Sequence, residues 1–183
     1  MPRPRSAAAD AAILEAARGL FSEAGLGGVT MEAIARRAGV GKQTVYRRYA
    51  DRNAVLAAAW LEDAETRVEM PRGRSLEADL SAFLKRLFAA LRTSGGPLRH
   101  LMAQAQFDEP LRDAFRESFI DRRRAALGDL LRRHRADASD ADVAIAVDSL
   151  YGAMWYRLLV GHAPLDAAFA KRLARQVVAG LGE

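Results

Sequence analysis

The chain has 183 residues, half of them apolar, with a formal net charge of +5 and no cysteine. It is long enough for a sizeable core, as one domain or as a small domain joined to a larger one. The lack of cysteine excludes a disulfide framework and a thiolate metal site. The three histidines, His100, His134 and His162, stand apart without metal-ligand spacing. Residues 1–55 hold nine Lys/Arg against five acids, leaving nineteen against eighteen in the remaining 128. A positive field that lies mainly in the N-terminal third suits contact with phosphates, although an ordinary solvated surface gives the same count.

Asp10, Glu15 and Arg18 interrupt the apolar part of the N-terminal segment, which argues against a signal peptide. No apolar run approaches the roughly 18 residues that span a bilayer. The expected location is therefore cytoplasmic. Strand alternation is absent and helical periodicity is continuous, so the expected class is all-α.

Ile13, Ala17, Leu20, Phe21 and Ala24 mark the first helix, closed by Gly25 as a left-handed cap. Thr30 is the N-cap of a second helix, with Val29 and Ile34 placed as a hydrophobic staple. This helix ends at Ala38-Gly39, and a third runs from about Lys42 to Tyr49. A fourth begins behind Asp51 and turns Val55, Leu56, Ala59 and Trp60 inward. "MPRGRS" (70–75) is the clearest break between two regions. Ser75 then caps a fifth helix carrying Leu80, Phe83, Leu84, Leu87 and Leu91. "TSGGP" (93–97) is expected to end it, with a short sixth helix over 98–106. Pro110 opens a seventh, with Leu111, Phe115, Phe119, Leu127 and Leu131 at helical spacing. After the "ADASD" loop, two last helices cover about 140–161 and 165–181, separated by Gly161 and Pro164. The total is about nine helices.

Residues 30–49 read as helix, three-residue turn, helix: "TMEAIARRA", "GVG", "KQTVYRRY". Gly39 supplies the positive φ of a sharp turn, and Val40, Ile34, Ala35 and Val45 fill the angle between the helices. So short a connection suits the crossing of a helix-turn-helix, whose second helix leads into the major groove with its N-terminal residues. Those residues are Lys42, Gln43 and Thr44. Lysine reaches guanine O6/N7, glutamine pairs with adenine N6/N7, and threonine offers a hydroxyl and a methyl that meets thymine. Tyr46, Arg47 and Arg48 follow toward phosphates, Arg47 with a base also in reach. Thr30 and Arg52 are placed to clamp the backbone. The bland alternative, a helical hairpin with a solvated basic face, explains the charge. It does not explain the turn, the staple and the Gln-Thr pair together.

The stretch "GLGGVTMEAIARRAGVGKQTVYRRYADRNAVLAAA" (25–59) resembles the DNA-binding region of the TetR family of bacterial transcriptional regulators, and "DSLYGAMWYRLLVGHAPLD" (148–166) is similar to the eighth-helix region of one subgroup of TetR-like C-terminal domains. The resemblance implies a three-helix DNA-binding domain (1–52) and a helical ligand-binding and dimerisation domain (53–183). It also implies a homodimer on a pseudo-palindromic double-stranded operator, with a small molecule altering DNA affinity. Gly41 departs from the pattern, since family members often carry Ser or another small polar residue there. A Gly cap costs a few tenths of a kcal/mol relative to Ser.

The helix over 143–160 is apolar on nearly every side and must be covered on more than one face. A dimer interface is expected through Val147, Phe169, Leu173 and Val177. Trp60, Met102, Phe107, Tyr151 and Trp155, with Met154 and Tyr156, are candidates to line a cavity for an apolar or aromatic effector. Plain core packing is the alternative for each. Asp108/Glu109 and Asp137/Asp140/Asp142 sit at helix starts, where acids are favoured. No phosphate loop, nucleophile elbow or metal spacing occurs. No catalytic activity, metal, cofactor or membrane contact is expected. A competing class is an architectural protein binding DNA by shape, with little sequence preference and no ligand.

Overall fold

The computed structural model describes residues 7–67 and 70–181. Among these there are nine α-helices and no strand: α1 (Ala7–Gly28), α2 (Met31–Ala38), α3 (Lys42–Tyr46), α4 (Arg52–Arg67), α5 (Leu76–Ala105), α6 (Glu109–Phe115), α7 (Asp121–His134), α8 (Asp140–Val160) and α9 (Ala167–Gly180). They fall into two compact units, residues 1–64 with 100–120 and residues 65–99 with 121–183.

Most of the local signals act where expected. Gly25 departs from the expected left-handed cap: at φ 63°, ψ −162° it takes a glycine-favoured kink rather than a helix end, and α1 continues one further turn to Gly28. Thr30 caps α2, its Oγ1 accepting from the Ala33 N–H at 3.0 Å. Val29 and Ile34, the two residues of the staple, are fully buried. Gly39 ends α2 at φ 66°, ψ 28°. There its N–H donates to the Arg36 carbonyl and that of Val40 to the Ala35 carbonyl. Asp51, Asp108, Ser139 and Asp166 cap α4, α6, α8 and α9 in the same manner, each accepting from a backbone N–H three residues on.

The number nine is as expected, but the helices are not the same nine. "TSGGP" does not end the fifth helix, because α5 runs unbroken to Ala105 and absorbs the expected sixth. Gly95 is buried there, and a Cβ on it would lie 3.1 Å from Leu158 Cδ1 of α8. The glycine marks a close helix–helix approach, and the packing it permits outweighs its low helix propensity. The expected seventh helix is divided instead. After Phe115 the chain makes one π-helical turn, Arg116–Ile120, before α7 begins. Phe115 and Phe119 stack with their centroids 4.7 Å apart. Such a turn carries one more residue than an α-helical one, and periodicity over so short a span does not reveal it.

In the second unit, Leu80, Phe83 and Leu84 of α5 are buried with Leu127, Leu130 and Leu131 of α7 and with Val147, Leu150 and Met154 of α8. Phe169 of α9 lies between the Phe88 ring, stacked at 5.8 Å, and the Arg157 guanidinium, 3.4 Å from its centroid. The 70–75 segment forms the expected break. The Gly73 N–H donates to the buried Asp79 carboxylate at 2.8 Å, and the His134 Nε2 lies 3.0 Å from the same group. Helix α8 corrects one reading, for by length and composition it is long and apolar enough to cross a membrane. Its Val143, Ala146, Val147, Leu150, Tyr151, Met154 and Leu158 are instead buried, and Asp148 pairs with Arg124 of α7.

Candidate nucleic-acid interface

The interface is built from α2, a turn and α3 within the first unit. The turn is locked by the positive φ of Gly39, and its inner angle is filled by Ile34, Ala35 and Val45, all buried, with Val40 half-buried. Packing of Val45 fixes which face α3 turns outward. Gln43 on that face is exposed and Thr44 half-buried, one beside the other at the leading end. Gly41 precedes them as N-cap with no side-chain bond of its own. The first free N–H groups of α3 are therefore left to other partners.

Helix α3 is shorter than the sequence suggests, ending at Tyr46. The N–H groups of Arg48 and Tyr49 both turn to the Val45 carbonyl, at 3.0 Å each, and close a terminal turn. Arg47 remains exposed on it, whereas Arg48 is drawn inward. The Arg48 side chain is only 8% exposed and is ion-paired with Asp10 of α1. The arginine expected at a phosphate thus ties α1 to the end of α3.

The other expected contacts lie as follows. Thr30 is exposed, and its hydroxyl keeps a hydrogen to donate while its oxygen caps α2. Arg52 is half-buried, with Nη1 3.4 Å from both the Leu26 and Val29 carbonyls. It braces the entry to α2. Tyr46 is 48% exposed, and the Lys42 ammonium lies 5.7 Å from its ring centroid. Lys42 also forms an ion pair with Glu32 in the first turn of α2. That hydrogen bond holds the Glu32 carboxyl below the usual glutamate range and raises the Lys42 ammonium above its ordinary value. Glu32 was not singled out from the sequence. The available signal was an acid in the first turn of the helix preceding a recognition helix.

The candidates for effector and dimer contact divide between the units. In the first, Trp60 meets the Phe21 ring edge-on at 5.7 Å, and its buried Nε1 has no hydrogen-bond partner among the described residues. Met102 is half-buried. Phe107 is 93% exposed on the turn between α5 and α6, outside the apolar stripes of both helices. In the second unit, the buried Tyr151 hydroxyl donates to the Arg123 carbonyl at 3.2 Å, and burial pushes its phenol up from the usual tyrosine range. Trp155 is half-buried. Val147 and Val177 are buried within their own unit, while Phe169 and Leu173 are half-buried. The uncovered apolar residues of α8 are different ones, Ile145, Tyr156, Leu159 and Val160, at 64%, 62%, 48% and 59% exposure. Together with the exposed Ser149 and Gly152 they follow one face of the helix.

Comparison with known proteins bears on both regions. Residues 13–59 match the model of the bacterial regulatory proteins of the tetR family, and residues 70–177 match the tetracyclin repressor-like C-terminal domain. The HTH-type transcriptional regulator YdeS of Bacillus subtilis is 29% identical, over 98% of this chain and 92% of its own. The crystal structure of the TetR family transcription regulator SCO0332 is 31% identical with a TM-score of 0.78, covering 96% of this chain and 99% of that one. The transcriptional regulator FadR from Bacillus subtilis, solved in complex with stearoyl-CoA, shares the fold at 18% identity, with a TM-score of 0.66 over 93% of this chain and 98% of that one. With a helix-turn-helix at its N-terminus and family models matching both regions, the chain belongs to the tetR family of bacterial regulatory proteins and is a DNA-binding transcriptional regulator.

Proposed function

We propose that this chain is a sequence-specific repressor that binds a pseudo-palindromic operator as a homodimer and changes its operator affinity when a small apolar molecule binds the C-terminal region. Residues 1–52 then form the DNA-binding domain and 53–183 the regulatory domain. The observation that carries the reading is the aim of α3. A locked turn and the buried Val45 leave Gln43 and Thr44 on its outward face, with a backbone helix end and exposed Arg47 beside them. Gln43 and Thr44 read bases, while Thr30, Arg47 and Arg52 hold phosphates.

The uncovered apolar face of α8 supports dimerisation, since such a face on a lone chain promotes aggregation. Dimerisation also places two recognition helices on successive major grooves, about 34–36 Å apart. A ligand that prefers one spacing over the other shifts the population by its difference in affinity. Two observations support an apolar effector: the aromatic residues Trp60, Tyr151 and Trp155 in the helical units, and the stearoyl-CoA bound by a FadR of the same fold. The test is to sequence the genomic fragments that the purified protein selects, then to titrate fatty acyl-CoA and aromatic compounds against the selected fragment. Recovery of a shared inverted repeat supports the reading. Equal affinity for selected and scrambled duplexes at one salt concentration overturns it in favour of an architectural protein.

A further inference from the structure

We propose that Glu32 is a positioning residue for DNA readout, whose carboxylate keeps Lys42 off the phosphate backbone until a base acceptor draws the lysine away; this rests on the DNA-facing role of α3 given above. The pair joins the first turn of α2 to the first residue of α3, the two helix ends that face the duplex in a helix-turn-helix. Both partners are about half exposed, at 52% and 56% of the side chain. An ion pair so open to water adds little to folding stability, so its consequence lies in what it faces. The Tyr46 ring lies under the same Lys42 ammonium, its centroid 5.7 Å away. Glu32 and the Tyr46 ring therefore hold Lys42 between them at the leading end of α3.

Electrostatics supply the reason. A lysine free on this surface would neutralise a phosphate on any duplex, releasing counterions without regard to sequence. A lysine neutralised by Glu32 has little to gain from an arbitrary phosphate. It gains more from guanine O6/N7, where a fixed pair of acceptors fits its donors. Glu32 thereby subtracts from non-specific affinity more than from specific affinity, and specificity is that difference.

The test uses the full-length dimer with a duplex selected by the wild-type protein from a randomised pool, and a scrambled duplex of the same composition. Binding is measured for the wild type, Glu32→Gln, Glu32→Asp, Lys42→Met and the Glu32→Gln/Lys42→Met double variant between 50 and 200 mM KCl. Each lysine freed to hold a phosphate adds about 0.9 to the salt slope, hence about 1.8 for a dimer. Over this fourfold range in salt, that slope amounts to about a tenfold additional loss of affinity. Glu32→Gln is expected to bind the scrambled duplex more tightly at 50 mM, with that steeper slope and with reduced preference for the selected duplex. In the Lys42→Met background the same substitution should change nothing. Glu32→Asp, whose shorter side chain keeps the charge but draws it back from Lys42, should follow Glu32→Gln. An unchanged slope in Glu32→Gln overturns the proposal. So does a gain that persists with Lys42→Met, because the glutamate then acts as a plain repulsive charge. Wild-type protein that binds both duplexes alike refutes the operator reading instead, since the slope comparison on scrambled DNA stands independently of it.

Discussion

The inward turn of Arg48 separates two roles that one residue cannot fill together. If it holds phosphate, removing its partner Asp10 frees it and strengthens DNA binding. If it ties α1 to α3, removing Asp10 strands a charge in the protein. The side chain of Arg48 is 8% exposed and that of Asp10 33%. Breaking a fully buried pair costs about 3–5 kcal/mol, and the solvent reaching Asp10 lowers this to about 2 kcal/mol for Asp10→Asn. For a chain of this length each kcal/mol moves the melting temperature by about 2–4 °C, so the expected fall is about 4–8 °C. Thermal melting by circular dichroism reads this directly. A salt titration on one duplex supplies the other half, where the slope should equal that of the wild type. An unchanged melting temperature, together with a slope steeper by about 1.8 for the dimer, would refute the structural role and return Arg48 to the phosphates.

Other expectations divide the interface further. Arg52→Ala should lower the salt slope by about 1.8 for the dimer on any duplex, whereas Gln43→Ala should leave the slope unchanged and cost about 1–3 kcal/mol per half-site on the selected duplex alone. Charges introduced together as Ile145→Asp and Tyr156→Asp, on the uncovered face of α8, should yield monomers by light scattering. A dimer that survives both places the interface elsewhere. The Arg37 hydrogen bonds to Glu23, at 2.6 and 2.7 Å, hold that carboxyl below the usual glutamate range. A depressed acid stabilises the fold above its ordinary range and loses that contribution as pH falls through and below it. The difference in melting temperature between wild type and Glu23→Gln should therefore vanish on acidification, and a difference that grew would contradict the sign.

The sequence by itself determined what depends on neighbours a few residues apart. Thr30 caps because its hydroxyl reaches an N–H three residues on, and Gly25, Gly39 and Gly161 take positive φ, a region costly for other side chains. From those local rules followed the helix-turn-helix, the leading position of Lys42, Gln43 and Thr44, and the all-helical class. Tertiary structure decided the rest, because the deciding partner lies far along the chain. "TSGGP" has every mark of a helix end, yet Leu158, some sixty positions away, packs against Gly95 and the helix continues. Arg48 has the composition of a phosphate contact, and Asp10 at 38 residues' separation pulls it inside. Helix α8 is apolar all round, and only packing within its own unit distinguishes buried Val147 from exposed Ile145 and Tyr156. A helical period places residues on faces, but which face is covered depends on the elements that arrive to cover it.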